Sequence, residues 1–125
     1  MAPQRPFEFT GRLRSFRYAF AGIATMLRSQ HNAWIHAALT LAAAIAGVAF
    51  RLSAGEWCWI VLAIVSVWTA EALNTAFEFL CDVASPQFHP MVKHSKDVAA
   101  GAVLLAAIGA VLIGALVFMP HLVRH

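Results

Sequence analysis

The chain has 125 residues, 61% hydrophobic and 12% charged, against roughly 45–50% and about 25% in a soluble globular domain, and its mean hydropathy is +0.71. These values exclude a soluble globule and, with 7 Gly and 5 Pro, a disordered, low-complexity or collagen-like chain, and the length allows a single domain over 1–125. Nine Lys/Arg against six Asp/Glu leave a net charge of +3, with no basic run of the kind that marks a nucleic-acid surface, so no nucleic-acid partner is expected.

The N-terminal MAPQRPFEFTGRLR has no apolar core or small-residue cleavage site and does not read as a signal peptide, so insertion falls to internal segments. Over about 12–29, Leu13, Phe16, Phe20, Ile23 and Leu27 recur at spacings of 3, 4, 3 and 4, while Arg14, Arg17 and Arg28 gather on another flank. That pattern predicts an amphipathic helix lying on a membrane surface, with its arginines near anionic head groups; the same stripe also suits packing on the protein's own bundle. Three apolar stretches follow, 33–50, 57–81 and 98–119, of 18, 25 and 22 residues, each able to cross a hydrocarbon core of about 30 Å as a helix. The fold class is therefore all-α: an integral membrane protein of three transmembrane helices preceded by a surface helix.

The boundaries carry chemical marks. Arg51, Ser53, Gly55 and Glu56 form a short polar turn, Ser85, Pro86 and Pro90 a longer one, and Pro120 is expected to stop the last helix. Trp34, Trp57 and Trp59 suit an aromatic belt at the interfaces. Arg5, Arg12, Arg14, Arg17 and Arg28 precede the first span, Arg51 stands against Glu56 in the first loop, Lys93 and Lys96 occupy the second, and Arg124 follows the third. The positive-inside rule then puts the N-terminus and the second loop in the cytoplasm. Cys58 and Cys81 lie 23 residues apart in one span, about 35 Å on a helix, too far to bridge, and read as small core residues.

The second span turns polar at its end, as EALNTAFEFLCD. Glu71, Asn74, Thr75, Glu78 and Asp82 stand at i, i+3, i+4, i+7 and i+11, on one helix face. Ionisable groups at membrane depth are costly and usually face a bundle interior or polar cavity. The fourteen residues before Glu71, apolar but for Ser66 and Thr69, cover about 21 Å of that core, leaving Glu71 submerged and Glu78 near the head groups. Asn and Thr also serve as glue between membrane helices, but two glutamates suit that task poorly, because the other spans offer no Lys or Arg partner. The segment HSKDVAAGAVLL before the third span reads as a capped helix start, with Ser95 as cap, Asp97 in the first turn and Lys96 adding positive charge to a helix end that attracts anions. A lysine and a helix end beside carboxylates are parts that can hold a nucleotide phosphate with Mg²⁺, although neither a P-loop nor a kinase glycine-rich loop is present.

The strings EALNTAFEFLCD and SPQFHPMVKHSKDVAAGAVLL, with SFRYAFAGI and NAWIH before them, resemble the small integral-membrane diacylglycerol kinase family of bacteria, which includes undecaprenol kinases. The resemblance runs from about Arg12 to Met119. It implies that Glu71 is the general base toward the lipid hydroxyl, that Asn74 is a polar active-site residue, and that Glu78 binds the metal of Mg-ATP. It further implies ATP contacts at Lys96, Asp97, Tyr18, Gln87, Phe88 and His89, with Asp82 on the same side, and a homotrimer with sites shared between neighbours in the bacterial inner membrane. Two positions depart from the family pattern. Its second metal carboxylate is Gln30 here, and an arginine that contacts substrate falls on Gly11, with Arg12 adjacent.

His36, four residues into the first span, reads as a hydrogen-bonded interface residue, and Ala106, Ala110 and Gly114 as a close helix-packing face; His31, His89 and His94 lack metal-ligand spacing. The function expected is transfer of the γ-phosphoryl group of ATP to a membrane lipid alcohol, diacylglycerol giving phosphatidate, with Mg²⁺ as cofactor. Undecaprenol is the alternative acceptor. A small proton-coupled exporter, which also depends on a membrane glutamate, is a more distant alternative disfavoured by the three-span count, Glu78 and the Lys96-Asp97 pair.

Overall fold

A computed structural model describes residues 3, 4 and 6–124; Arg5, one of the charges counted above, lies outside the described residues. Four helices occupy the described residues, α1 (Phe9–Ser29), α2 (His31–Ala49), α3 (Ala54–Ala84) and α4 (Pro90–Val123), with no strand among them. The last three are long and apolar enough to cross a membrane, as the hydropathy pattern requires.

In α1 the apolar stripe points away from the bundle: Leu13, Phe16, Phe20 and Ile23 are all exposed, and Met26 alone is buried. A stripe left open in this way suits the membrane surface and not the protein's own core. Gln30 has an extended backbone and is at once the C-cap of α1 and the N-cap of α2, so a single residue breaks the helical path.

The turn from α2 to α3 follows hydrogen-bonding rules. Leu52 N–H bonds the Gly47 carbonyl at 3.1 Å and Arg51 N–H that of Val48 at 3.2 Å, the paired bonds of a Schellman motif, with Arg51 in the left-handed position at φ 54 where glycine is usual. The Trp57 indole lies against Gly47, where a Cβ would collide with the ring. Trp57 is thus a half-buried plug and does not belong to an aromatic belt, unlike the exposed Trp34 and Trp59. Ser53 and Glu56 close a reciprocal capping box at the start of α3.

The start of α4 differs from expectation. Pro90 occupies its first turn, where a missing N–H costs nothing, and His89 Nδ1 accepts from Met91 N–H at 3.1 Å. Ser95 is therefore inside the helix and caps nothing, and Lys96 and Asp97 project from the second turn, not from a helix end. Pro120 also fails to stop α4, which continues to Val123, because proline's fixed φ is helical and only one intrahelical bond is lost near a terminus.

α3 and α4 form the principal antiparallel pair, with α2 against α3 and α1 touching both α2 and α3. Leu52, Ile60 and Val117 are the buried core at one end, flanked by Trp57, Phe50 and Phe118; beside it Glu56 and His121 pair at 2.6 Å. At the far end of α3 Cys81 is buried, as expected for a small core residue, but Cys58 is exposed, since it falls on the α3 face that no helix covers. The small-residue face does not close tightly either. Ala110 and Gly114 line a cavity of about 220 Å³ between α2, α3 and α4, and a Cβ on Gly114 would meet nothing within 4 Å.

Candidate active site

Burial along the polar face of α3 is graded. Glu71 is 1% exposed, Thr75 4% and Asn74 7%, Glu78 is half-buried, and Asp82 is exposed. Helical periodicity fixes the shared face, and the covering by α1, α2 and α4 sets the gradient, so carboxylate depth follows sequence order. The Thr75 hydroxyl donates to the Glu71 carbonyl at 2.9 Å, which satisfies it within the helix. Both Glu71 carboxylate oxygens are buried without a hydrogen bond.

The partner that sequence reasoning missed is His36. Its Nε2 lies 3.4 Å from Glu71 Oε2, within ion-pair distance though not aligned as a hydrogen bond, and Nε2 has no other hydrogen-bond partner. No arginine or lysine was needed because α2 brings an imidazole instead. The signal was present in the sequence: His36 and Thr40 stand one turn apart as polar positions in an otherwise apolar span. Trp68 Nε1 donates to Thr40 Oγ1 at 3.0 Å, and its ring meets the His36 ring edge-on at 6.2 Å between centroids.

Farther along, Glu78 receives Gln30 Nε2 at 3.0 Å and Asn74 Nδ2 at 3.4 Å. The α1–α2 break thus delivers Gln30 to the Glu78 carboxylate, as expected, but presents its amide nitrogen, a donor, where a metal ligand must present oxygen. Lys96 Nζ pairs with Asp82 Oδ1 at 2.6 Å across α3 and α4, joining two of the expected ATP contacts. Asp97 does not join them; it pairs with Lys93, one turn back on its own helix, at 2.7 Å. Tyr18, Gln87, Phe88 and His89 are exposed, and none of the hydrogen bonds or ion pairs among the described residues ties them to Glu78 or Lys96. The Arg12 guanidinium stacks over the Phe7 ring at 5.2 Å, away from this cluster.

No three His, Cys, Asp or Glu side chains among the described residues gather as a metal cage. Magnesium does not require one, since it usually keeps waters and phosphate oxygens and takes one or two protein carboxylates. Glu78 supplies a carboxylate, and Asn74 Oδ1 is a buried amide oxygen without a partner, so the donors present fit a phosphate-borne Mg²⁺. Gln30 would join them only with its amide turned to bring Oε1 inward.

Comparison with known proteins supplies the family. The family described as prokaryotic diacylglycerol kinase matches residues 17–118. The chain is 40% identical over 109 residues to an undecaprenol kinase of Bacillus subtilis, covering 87% of this chain and 89% of that protein. It is also 40% identical over 111 residues to a diacylglycerol kinase of Synechocystis sp., covering 88% of this chain and 63% of that longer protein. An exporter is ruled out by a match on this scale, which takes in α2, α3 and the graded acidic face. The chain belongs to the prokaryotic diacylglycerol kinase family and is a membrane-embedded lipid kinase.

Proposed function

We propose that the protein transfers the γ-phosphoryl group of Mg-ATP to the hydroxyl of a lipid alcohol at the cytoplasmic leaflet of the bacterial inner membrane, working as a homotrimer. The observation that carries this reading is Glu71: a carboxylate 1% exposed, with both oxygens free of hydrogen bonds, at the membrane-deep end of a face that grades outward to Asp82 and Lys96. A base for a lipid hydroxyl must sit at the depth of that hydroxyl and be free to take a proton.

In this reading Glu71 accepts the hydroxyl proton as the lipid oxygen bonds to phosphorus and the bond to the ADP oxygen breaks. Asn74, one turn farther out, orients the phosphate, and Glu78 holds the nucleotide's metal. When bound, Mg²⁺ neutralises charge on the phosphate oxygens. Lys96 turns from Asp82 to the phosphates, a change its exposed position permits, and stabilises the charge of the transferring group. Asp97, Tyr18 and the 87–89 loop take part as nucleotide contacts from the solvent side.

Diacylglycerol is the acceptor of the family's name, and undecaprenol is equally supported, since the undecaprenol kinase and the diacylglycerol kinase are each 40% identical to this chain. Purified protein in mixed micelles with γ-labelled ATP and each lipid in turn separates the two. A labelled lipid phosphate from at least one of them is expected, and the faster product names the acceptor. No labelled product from either lipid in folded protein refutes the kinase assignment to this site.

A further inference from the structure

His36 has no role in the chemistry above, yet it is the polar side chain that meets the buried carboxylate. Two helices hold it there. On α2, His36 and Thr40 stand one turn apart; on α3, Trp68 and Glu71 are separated by three residues. The Trp68 indole spans the gap, donating to Thr40 Oγ1 at 3.0 Å and packing edge-on against the imidazole. This strut fixes the rotation of α2 against α3 and with it the approach of His36 Nε2 to Glu71 Oε2 at 3.4 Å. On its other side the imidazole lines the cavity of about 220 Å³, whose walls include Ala63, Val67 and Ala110. His36 therefore stands between an apolar space and the carboxylate.

We infer that His36 is a positioning residue for phosphoryl transfer. Its Nε2, at ion-pair distance from Oε2, biases that Glu71 oxygen toward the imidazole and leaves the other to receive the lipid hydroxyl proton. The inference rests on the reading of Glu71 as general base. A buried carboxylate without a neighbour has no preferred rotation about its last torsion; a ring packed against Trp68, itself anchored on Thr40, supplies one. Orientation of a reacting group is worth much in rate and little in ground-state binding. The proton stays on Glu71 in this scheme, and His36 neither gains nor loses one in the step.

The test compares His36→Ala, His36→Gln, Glu71→Gln and the double variant His36→Ala/Glu71→Gln with the unaltered protein, on a lipid alcohol that the latter phosphorylates. His36→Ala is expected to lower kcat by about 10- to 100-fold, by analogy with the loss of a side chain that orients a metal ligand, with KM for ATP unchanged. His36→Gln, which keeps an N–H donor near the same place, is expected to recover most of that loss. In the Glu71→Gln background, His36→Ala is expected to cause no further drop, because a residue acting through Glu71 has nothing left to position. Unaltered kcat in His36→Ala overturns the inference, as does a full additional loss in the double variant. Equal loss in His36→Ala and His36→Gln together with a lowered unfolding midpoint also overturns it, since packing alone then explains the effect. If the unaltered protein phosphorylates no lipid alcohol at all, the kinase reading of the site fails first and takes the inference with it.

Discussion

At the scale of single residues, the acidic face was legible because a helix repeats every 3.6 residues, so Glu71, Asn74, Thr75, Glu78 and Asp82 declare a common side without any coordinates. The membrane depths of Glu71 and Glu78 could be counted from the residues before Glu71, but how far the chain itself covers them could not. What the sequence did not disclose is what each residue meets across the interface. His36 against Glu71, Lys93 against Asp97 and the amide nitrogen of Gln30 toward Glu78 depend on helix register and rotamer, which one-dimensional spacing does not encode. The Gln30 contact yields a prediction. Gln30→Glu replaces a donor at 3.0 Å from Glu78 Oε2 with a second carboxylate, and two facing carboxylates repel unless a cation lies between them. The variant is expected to reach half-maximal activity at a lower Mg²⁺ concentration than the unaltered protein. An unchanged Mg²⁺ titration in an active variant places Gln30 outside the metal's surroundings.

At the scale of helices, apolar length and period located all four elements, and the errors gathered at their ends. Ser95 resembles a cap in isolation, but Pro90 and His89 offer an earlier start, and polar residues in the head-group region extend a helix as readily as apolar ones do. Pro120 shows the converse: a residue that breaks helices in their interior is tolerated in a last turn. The α2–α3 turn carries a conflict between local preference and assigned geometry, since Arg51 adopts φ 54, a region that costs a residue with a Cβ about 1 kcal/mol. Arg51→Gly removes that cost while keeping both Schellman bonds, and part of the gain is offset by the greater freedom of glycine in the unfolded chain. The variant is expected to raise the thermal unfolding midpoint in detergent, by about 0.5 kcal/mol of stability. A lowered midpoint would show that the arginine side chain contributes more at that turn than its backbone costs.

At the scale of the whole molecule, three membrane helices and one surface helix would be expected to leave the acidic face open to lipid, so that only further copies of the chain could cover it. A single chain does more than that: Glu71, Thr75 and Asn74 are 1%, 4% and 7% exposed within it, because α1 and α2 fold back over α3 around the break at Gln30. Enclosure of the base therefore gives no argument for a trimer. The case for shared sites lies instead in the separation of the proposed nucleotide contacts, with Asp97 turned to Lys93 and Tyr18 exposed on α1. Co-assembly tests this. A mixture of Glu71→Gln and Asp97→Asn chains is expected to regain activity that neither has alone, whereas Glu71→Gln mixed with Asn74→Ala is not, because those two residues belong to the same face of one helix. Recovery in neither mixture would confine each site to a single chain.

The proposed chemistry requires of Glu71 a carboxylate that takes a proton and binds no nucleotide. Steady-state turnover and equilibrium binding of Mg-ATP, measured on the same preparation of Glu71→Gln, test this most directly. Turnover of the lipid alcohol is expected to fall by about 10²- to 10⁴-fold, the usual loss for a general base, while Mg-ATP binds as it does to the unaltered protein; undiminished turnover, or ATP affinity lost in step with turnover, would contradict it.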